Sequence, residues 1–265
     1  MSKYDEHLLF LRKMKKKKFI IMSCQISILF VFLFLWEVLS DISILNSFLY
    51  SSPSKIINTI FSLFENGTLF SHIFITLSEV CASFILSTIL GIFIAFILWR
   101  FDILAKIVEP YITIFNSLPK VALGPLIIIW MGASIHSIIF MALTISIFTT
   151  ILTIYQGFIS VPHNYIVLLK SFGASPLQIF FKLILPFNFE LIISSLKINI
   201  ALSLIGVIMG ELLVSKKGLG YLIMYGSQVF QLDLVISSIF ILGILSYLLY
   251  YFIDKLLSIL QKKKI

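Results

Sequence analysis

Asn116-Ser-Leu-Pro-Lys120 sets an amide, a hydroxyl, a proline and an ammonium inside an otherwise apolar run. A polar group in an apolar span is expensive and is a functional candidate by default. A broken helix is tolerated where it lines a cavity or is buried in protein. Asn116, Ser117, Pro119 and Lys120 are therefore candidates for a translocation path, and Lys120 suits an anion such as a sulfonate, nitrate or phosphate ester. Asn199 in a later run joins them; Lys197 beside it is expected to reach the interface, and Glu37, Glu79 and Glu211 to cap or pair near span ends. His7, His72, His136 and His163 share no metal-ligand spacing, and Cys24 and Cys81 read as small apolar residues. No serine sits in a nucleophile elbow, and no G-x-x-x-x-G-K-[ST] phosphate loop is present. Nothing here predicts catalysis, a metal or a bound cofactor.

A second pattern, Val161 to Pro186, reads as helix, glycine break, helix, proline stop. Pro162 suits a first helical turn, and Gly173 the left-handed position that ends the helix near Phe172. Ser175 and Gln178 form a capping box for a second helix with Pro176 as its first residue. Leu177, Phe180, Phe181 and Ile184 then recur as one apolar stripe, and Pro186 halts or kinks the helix. A chain that only had to turn back would use a tight loop. Two short helices predict either a surface hairpin on the membrane or a docking surface for another protein.

The elements that position these groups are membrane spans. Of 265 residues, 60% are hydrophobic and 12% charged, and the mean hydropathy is +1.09, far from soluble values. Apolar windows of about 20 residues predict six spans, near 19–39, 73–99, 107–131, 135–158, 191–213 and 235–257. With six spans, fifteen of the 20 Lys and Arg fall on one side and three on the other. The positive-inside rule then puts both termini and the 160–186 loop in the cytoplasm. The net charge of +8 accordingly predicts contact with anionic lipid headgroups, not nucleic acid. The first apolar run is long and no small-x-small cleavage site follows it, so an uncleaved span is expected. Between Ser51-Ser-Pro53 and Asn66-Gly67, Ile56, Ile57, Ile60, Phe61 and Phe64 predict an amphipathic helix at the outer interface. The expected organisation is a basic tail (1–18), the first span with its external segment (19–69), the main transmembrane domain (70–257) and a second basic tail (258–265).

The 161–186 loop resembles the so-called EAA loop of ATP-binding-cassette importer permeases: Glu-Ala-Ala, three residues, Gly, nine residues, Ile-x-Leu-Pro. Gly173 is followed after nine residues by Leu183-Ile184-Leu185-Pro186, whereas Val167, Leu168 and Leu169 occupy the Glu-Ala-Ala positions. Ser51-Ser-Pro53, the stretch from Asn116 to Gly132 and the stretch from Gly210 to Ile223 are similar to segments of the nitrate, aliphatic-sulfonate, taurine and pyrimidine-precursor branch. The resemblance implies an all-α integral membrane protein with the six-helix type I importer permease fold. It further implies a homodimer in the bacterial plasma membrane and an external solute-binding protein. In the family the loop seats in a groove of a cytoplasmic ATPase that holds ATP and Mg. Lys170, Ser171, Phe172, Gly173, Ala174, Ser175, Pro176, Leu185 and Pro186 would carry that docking. An ion-coupled secondary transporter would instead want inverted repeats and carboxylates at the midplane. A membrane enzyme would want an interfacial His/Asp/Glu cluster.

Overall fold

The computed structural model describes the backbone of residues 3–42 and 44–262 and the side chains of 13–42, 44–46 and 48–255. The last three residues of the expected C-terminal tail (263–265) lie outside the described residues. All regular structure described is helical. The helices are α1 (Lys3–Asp41), α2 (Ser47–Tyr50), α3 (Pro53–Glu65), α4 (Leu69–Arg100), α5 (Asp102–Ser117), α6 (Gly124–Met131), α7 (Ile135–Ile159), α8 (His163–Ser171), α9 (Pro176–Ile179), α10 (Leu185–Phe187), α11 (Phe189–Val214), α12 (Leu219–Gln228) and α13 (Leu232–Lys262). Five of them (α1, α4, α7, α11 and α13) have the length and apolarity to cross a bilayer.

The third expected span is broken. Helix α5 and the segment Lys120–Met131 meet at an angle of 87°. Pro119 has no N–H to donate, and Leu118, which precedes it, is extended (φ −63°, ψ 144°), as pre-proline residues prefer. The pair still runs from one end of the bundle to the other. Ala105 packs with Phe158 and Ile179, whereas Gly124 lies against Leu213, near the opposite end of α11.

Helices α4, α7 and α11 form the core. In lipid, apolar side chains gain little by leaving the solvent, so association rests on close backbone approach and on shared polar groups. A Cβ on Gly206 of α11 would collide with the Cα of Ala142 on α7. Inside this core Asn199 of α11, only 1% exposed, accepts a hydrogen bond from Ser87 Oγ (2.9 Å) and donates to Thr88 Oγ1 (2.8 Å) on α4. Ser146 and Thr150 return their hydroxyls to carbonyls of their own helix, so these buried hydroxyls are satisfied without a partner helix.

The segment between α1 and α4 follows the sequence. Ser52 caps α3 with Pro53 as its first residue. Its apolar face divides: Ile56, Ile60 and Leu63 pack on the bundle, while Ile57, Phe61 and Phe64 remain exposed. Glu37 of α1 accepts hydrogen bonds from Ser54 N–H (3.0 Å) and Ser54 Oγ (2.6 Å), tying the first span to α3.

Gly206→Ala should destabilise the folded chain by about 1–3 kcal/mol, the usual cost of overpacking. Gly243→Ala, where an added Cβ meets nothing within 4 Å, should be neutral or mildly stabilising. Unfolding midpoints in mild detergent compare the two; equal midpoints would remove the close approach from the account.

Candidate functional site

The loop between α7 and α11 is built as two helices at a fixed angle. Helix α8 ends in a Schellman motif: Ala174 N–H donates to Leu169 C=O (3.0 Å) and Gly173 N–H to Lys170 C=O (2.9 Å). The motif needs a left-handed residue, which Gly173 supplies at φ +77°. The capping box is formed in both directions, with Ser175 N–H on Gln178 Oε1 (2.8 Å) and Gln178 N–H on Ser175 Oγ (3.3 Å). Pro162 sits one residue earlier than expected, as the cap before His163.

The expected stripe divides because the second helix widens to a π turn over Phe180–Ile184. Ile179, Phe180 and Ile184 are buried, and Leu177 and Phe181 face outward. Phe180 is the anchor. Its ring centroid lies 4.6 Å from Phe96 and 5.2 Å from Trp99 on α4, and 5.2 Å from Phe158 at the end of α7. Edge and tilted aromatic packing of this kind is directional, so the loop is fastened to two core spans at once. Pro186 does not end the chain's helical course; it opens the short α10, and Asn188 turns into α11. The anchoring partners Phe96, Trp99 and Phe158 were not singled out from the sequence, because a Phe-rich apolar helix offers no signal for which ring meets the loop.

The opposite surface of the loop is bare. Phe172 is 77% exposed, and Tyr165, Val167, Leu168 and Leu177 are also exposed, with Lys170 and Lys182 beside them. Ser171 returns its hydroxyl to Leu168 C=O (2.7 Å), and the expected docking residues Lys170 through Pro176 are all exposed apart from the half-buried Ala174. Leu185 is half-buried and Pro186 exposed.

The polar break in the third span forms a compact network. Asn116 Oδ1 accepts from Lys120 Nζ (3.0 Å) and from Thr149 Oγ1 of α7 (2.9 Å). Lys120 Nζ also donates to Ile145 C=O (3.2 Å) and lies 5.9 Å from the Phe148 ring centroid. Lys120 borders a cavity of about 410 Å³ lined mainly by Phe115, Leu126, Trp130, Phe140 and Phe148. Ser117 and Pro119 are exposed at the bend. Asn199 is not brought to this group; it lies in the α4–α11 seam, where packing and hydrogen bonds close it off. Lys197 pairs with Asp254 of α13 under Tyr250, rather than reaching the interface alone.

Glu211 has a further role. At 1% exposure it accepts Thr76 Oγ1 (2.6 Å) and Gly220 N–H (2.6 Å), while Thr76 Oγ1 accepts Leu219 N–H (2.9 Å) and His72 Nδ1 accepts Gly218 N–H (2.9 Å). The start of α12 is thereby held against α4. Glu79 lies buried beside Glu211.

Residues 87–265 match the family described as "Binding-protein-dependent transport system inner membrane component". The chain belongs to this family. It is an importer permease of the ATP-binding-cassette class, and relatives agree. A "Probable ABC transporter permease protein" of Haemophilus influenzae is 30% identical over 227 residues, covering 86% of this chain and 92% of the relative. The "Formylaminopyrimidine transport permease protein ThiX" of Halalkalibacterium halodurans is 30% identical over 226 residues, covering 85% and 90%. The permease subunit's fold is similar to a chain of an inward-facing MetNI methionine ABC transporter, with a TM-score of 0.63 and 19% identity over 73% of this chain and 96% of that one.

Phe180→Ala should cost the permease about 3 kcal/mol or more from loss of the buried ring. Protease cleavage within 163–187 should rise well before cleavage inside the spans. An unchanged cleavage rate in the loop would show that the aromatic cluster does not fasten it.

Proposed function

We propose that this permease works as a homodimer in a bacterial plasma membrane, with both termini and the 160–186 loop in the cytoplasm. It passes a small anionic solute delivered by an external binding protein, and a separate ATPase supplies ATP hydrolysis. The observation that carries this reading is the two-helix loop: a bare apolar outer surface on one side, and an aromatic fastening to α4 and α7 on the other. Such an element transmits a push from a cytoplasmic partner to two core spans. A passive surface hairpin would leave its apolar side chains to the lipid and would need no rigid anchor. The ATPase would carry ATP and Mg, since no phosphate loop exists in this chain.

The solute class is supported by Lys120. An ammonium has three donors; two are given to Asn116 and Ile145, which leaves one for a solute in a cavity otherwise apolar. About 410 Å³ falls within the range of small-molecule sites. Small sulfonates, nitrate, taurine-like solutes and vitamin precursors all meet that description, and the pyrimidine precursor in one relative's name belongs to the same size class.

Co-purification of the tagged permease from its native membrane, with peptide identification and an ATPase assay on the eluate, tests the docking. Recovery of a cytoplasmic ATPase is expected, and recovery of the chain alone would overturn the reading. Gly173→Val should strain the left-handed position by about 1 kcal/mol or more, leaving membrane insertion intact but reducing solute uptake and ATPase recovery together. Uptake at the normal rate would mean that the loop does not couple.

Lys120→Met should lower uptake of the anionic solute at unchanged protein level. Unaltered uptake would take Lys120 out of the path.

A further inference from the structure

Where α4, α7 and α8 meet, on the inner side of the loop, there is a cavity of about 490 Å³, which shares Lys170 and Pro176 with the expected docking residues. Its floor is apolar and buried, formed by Phe158, Val161 and Ile179. Its rim carries Arg100, the last residue of α4, together with His163 and Lys170 of α8. Among the described residues, no carboxylate stands within ion-pair distance of Arg100 or Lys170. The one acid on the rim, Asp102, is held by Lys106 at 2.7 Å, one helical turn along α5. The guanidinium of Arg100 lies 5.3 Å over the Phe101 ring, a contact that leaves its N–H edges directed elsewhere.

We propose that this cavity holds the phosphate headgroup of an anionic phospholipid, which bridges the end of α4 to α8. Three features favour that ligand. Arg100 and Lys170 come from separate elements, line one cavity and have no protein carboxylate as ion-pair partner among the described residues, so a phosphate held there would accept from both. The floor is apolar, which matches the glycerol and first acyl carbons of a lipid; a free phosphate has nothing to place there. Helix α4, at about 48 Å for 32 residues, outruns a hydrocarbon core of about 30 Å. Its Trp99–Arg100 end therefore stands at headgroup level, where aromatic and basic side chains anchor. Basic pockets between spans on the cytoplasmic side are known lipid headgroup sites in general. The side of the membrane rests on the topology proposed above, but the binding does not depend on an ATPase.

The test is native mass spectrometry of the purified chain after exchange into detergent with equal phosphatidylglycerol and phosphatidylcholine. Preferential retention of phosphatidylglycerol is expected. Arg100→Gln should reduce it about fivefold, the effect of one basic residue near an anionic surface. Arg100→Lys should keep most of it, which separates lost charge from lost folding, and Lys216→Gln at the other end of the bundle should change nothing. Equal retention of the two lipids, or an Arg100→Gln chain that binds like the parent, would overturn the site. Excess inorganic phosphate is the second arm. It should leave the lipid in place; if it displaces the lipid and raises the unfolding midpoint as well as phosphatidylglycerol does, a free anion is the ligand and the lipid proposal fails. Every readout uses the permease alone, so a negative result leaves the docking reading standing, and a failure to recover an ATPase leaves this site standing.

Discussion

The close approach of α7 and α11 is the constraint on which the rest of the permease depends. Helices already in lipid cannot be driven together by release of apolar surface from water, so contact area and shared polar groups must do it. Gly206 opposite Ala142 lets two backbones touch, and the third core span is stitched on by Asn199 with Ser87 and Thr88. This three-helix core gives the remaining segments something rigid to hang from. The broken third span leans on it through Asn116 and Thr149, and the start of α12 is held through Glu211 and Thr76.

A rigid core matters for transmission. Phe180, just past α9, touches rings from both α4 and α7, so on the proposed docking a displacement of the loop would reach two spans. Had the loop rested on one span alone, a push from outside the membrane would bend that span and be lost in its neighbours. The π turn serves the same end: by adding a residue to one turn it brings Phe180 and Ile184 inward together while leaving Leu177 and Phe181 on the surface. The cost of the wider turn is met by burial of two large apolar side chains.

Much of this was legible in the sequence, and the limits have physical causes. Gly173 and the Ser175–Gln178 box were legible because left-handed glycines and caps are local: the residues that make them sit within four positions of each other. The spans were legible because membrane thickness fixes their length. Which face of a span points where was not. Helices apolar all round carry little directional signal, so Asn199 could be read as lining a path when it stitches a seam. The stripe after Pro176 misled in the same way, because it assumes an unbroken α period that the π turn interrupts. The 87° bend in the third span was announced by Asn116 to Lys120 as a break, but its angle depends on contacts from α7, over twenty residues away in the chain.

The distribution of the polar groups then narrows where a solute can be handled. Lys197 is taken by Asp254, Asn199 by the α4 hydroxyls, and Glu211 by the start of α12. Asn199 and Glu211, both 1% exposed, would each leave a buried dipole or charge unpaired if they turned to a passing solute, and in a dry medium that is costly. The Asn116–Lys120 pair differs because it borders a cavity and retains donor capacity after its internal bonds are counted. On the proposed reading, a path that offers a solute one ammonium among aromatic and aliphatic walls would favour an anion but would hardly distinguish one small anion from another, so fine discrimination would fall to the external binding protein, before the solute reaches the membrane.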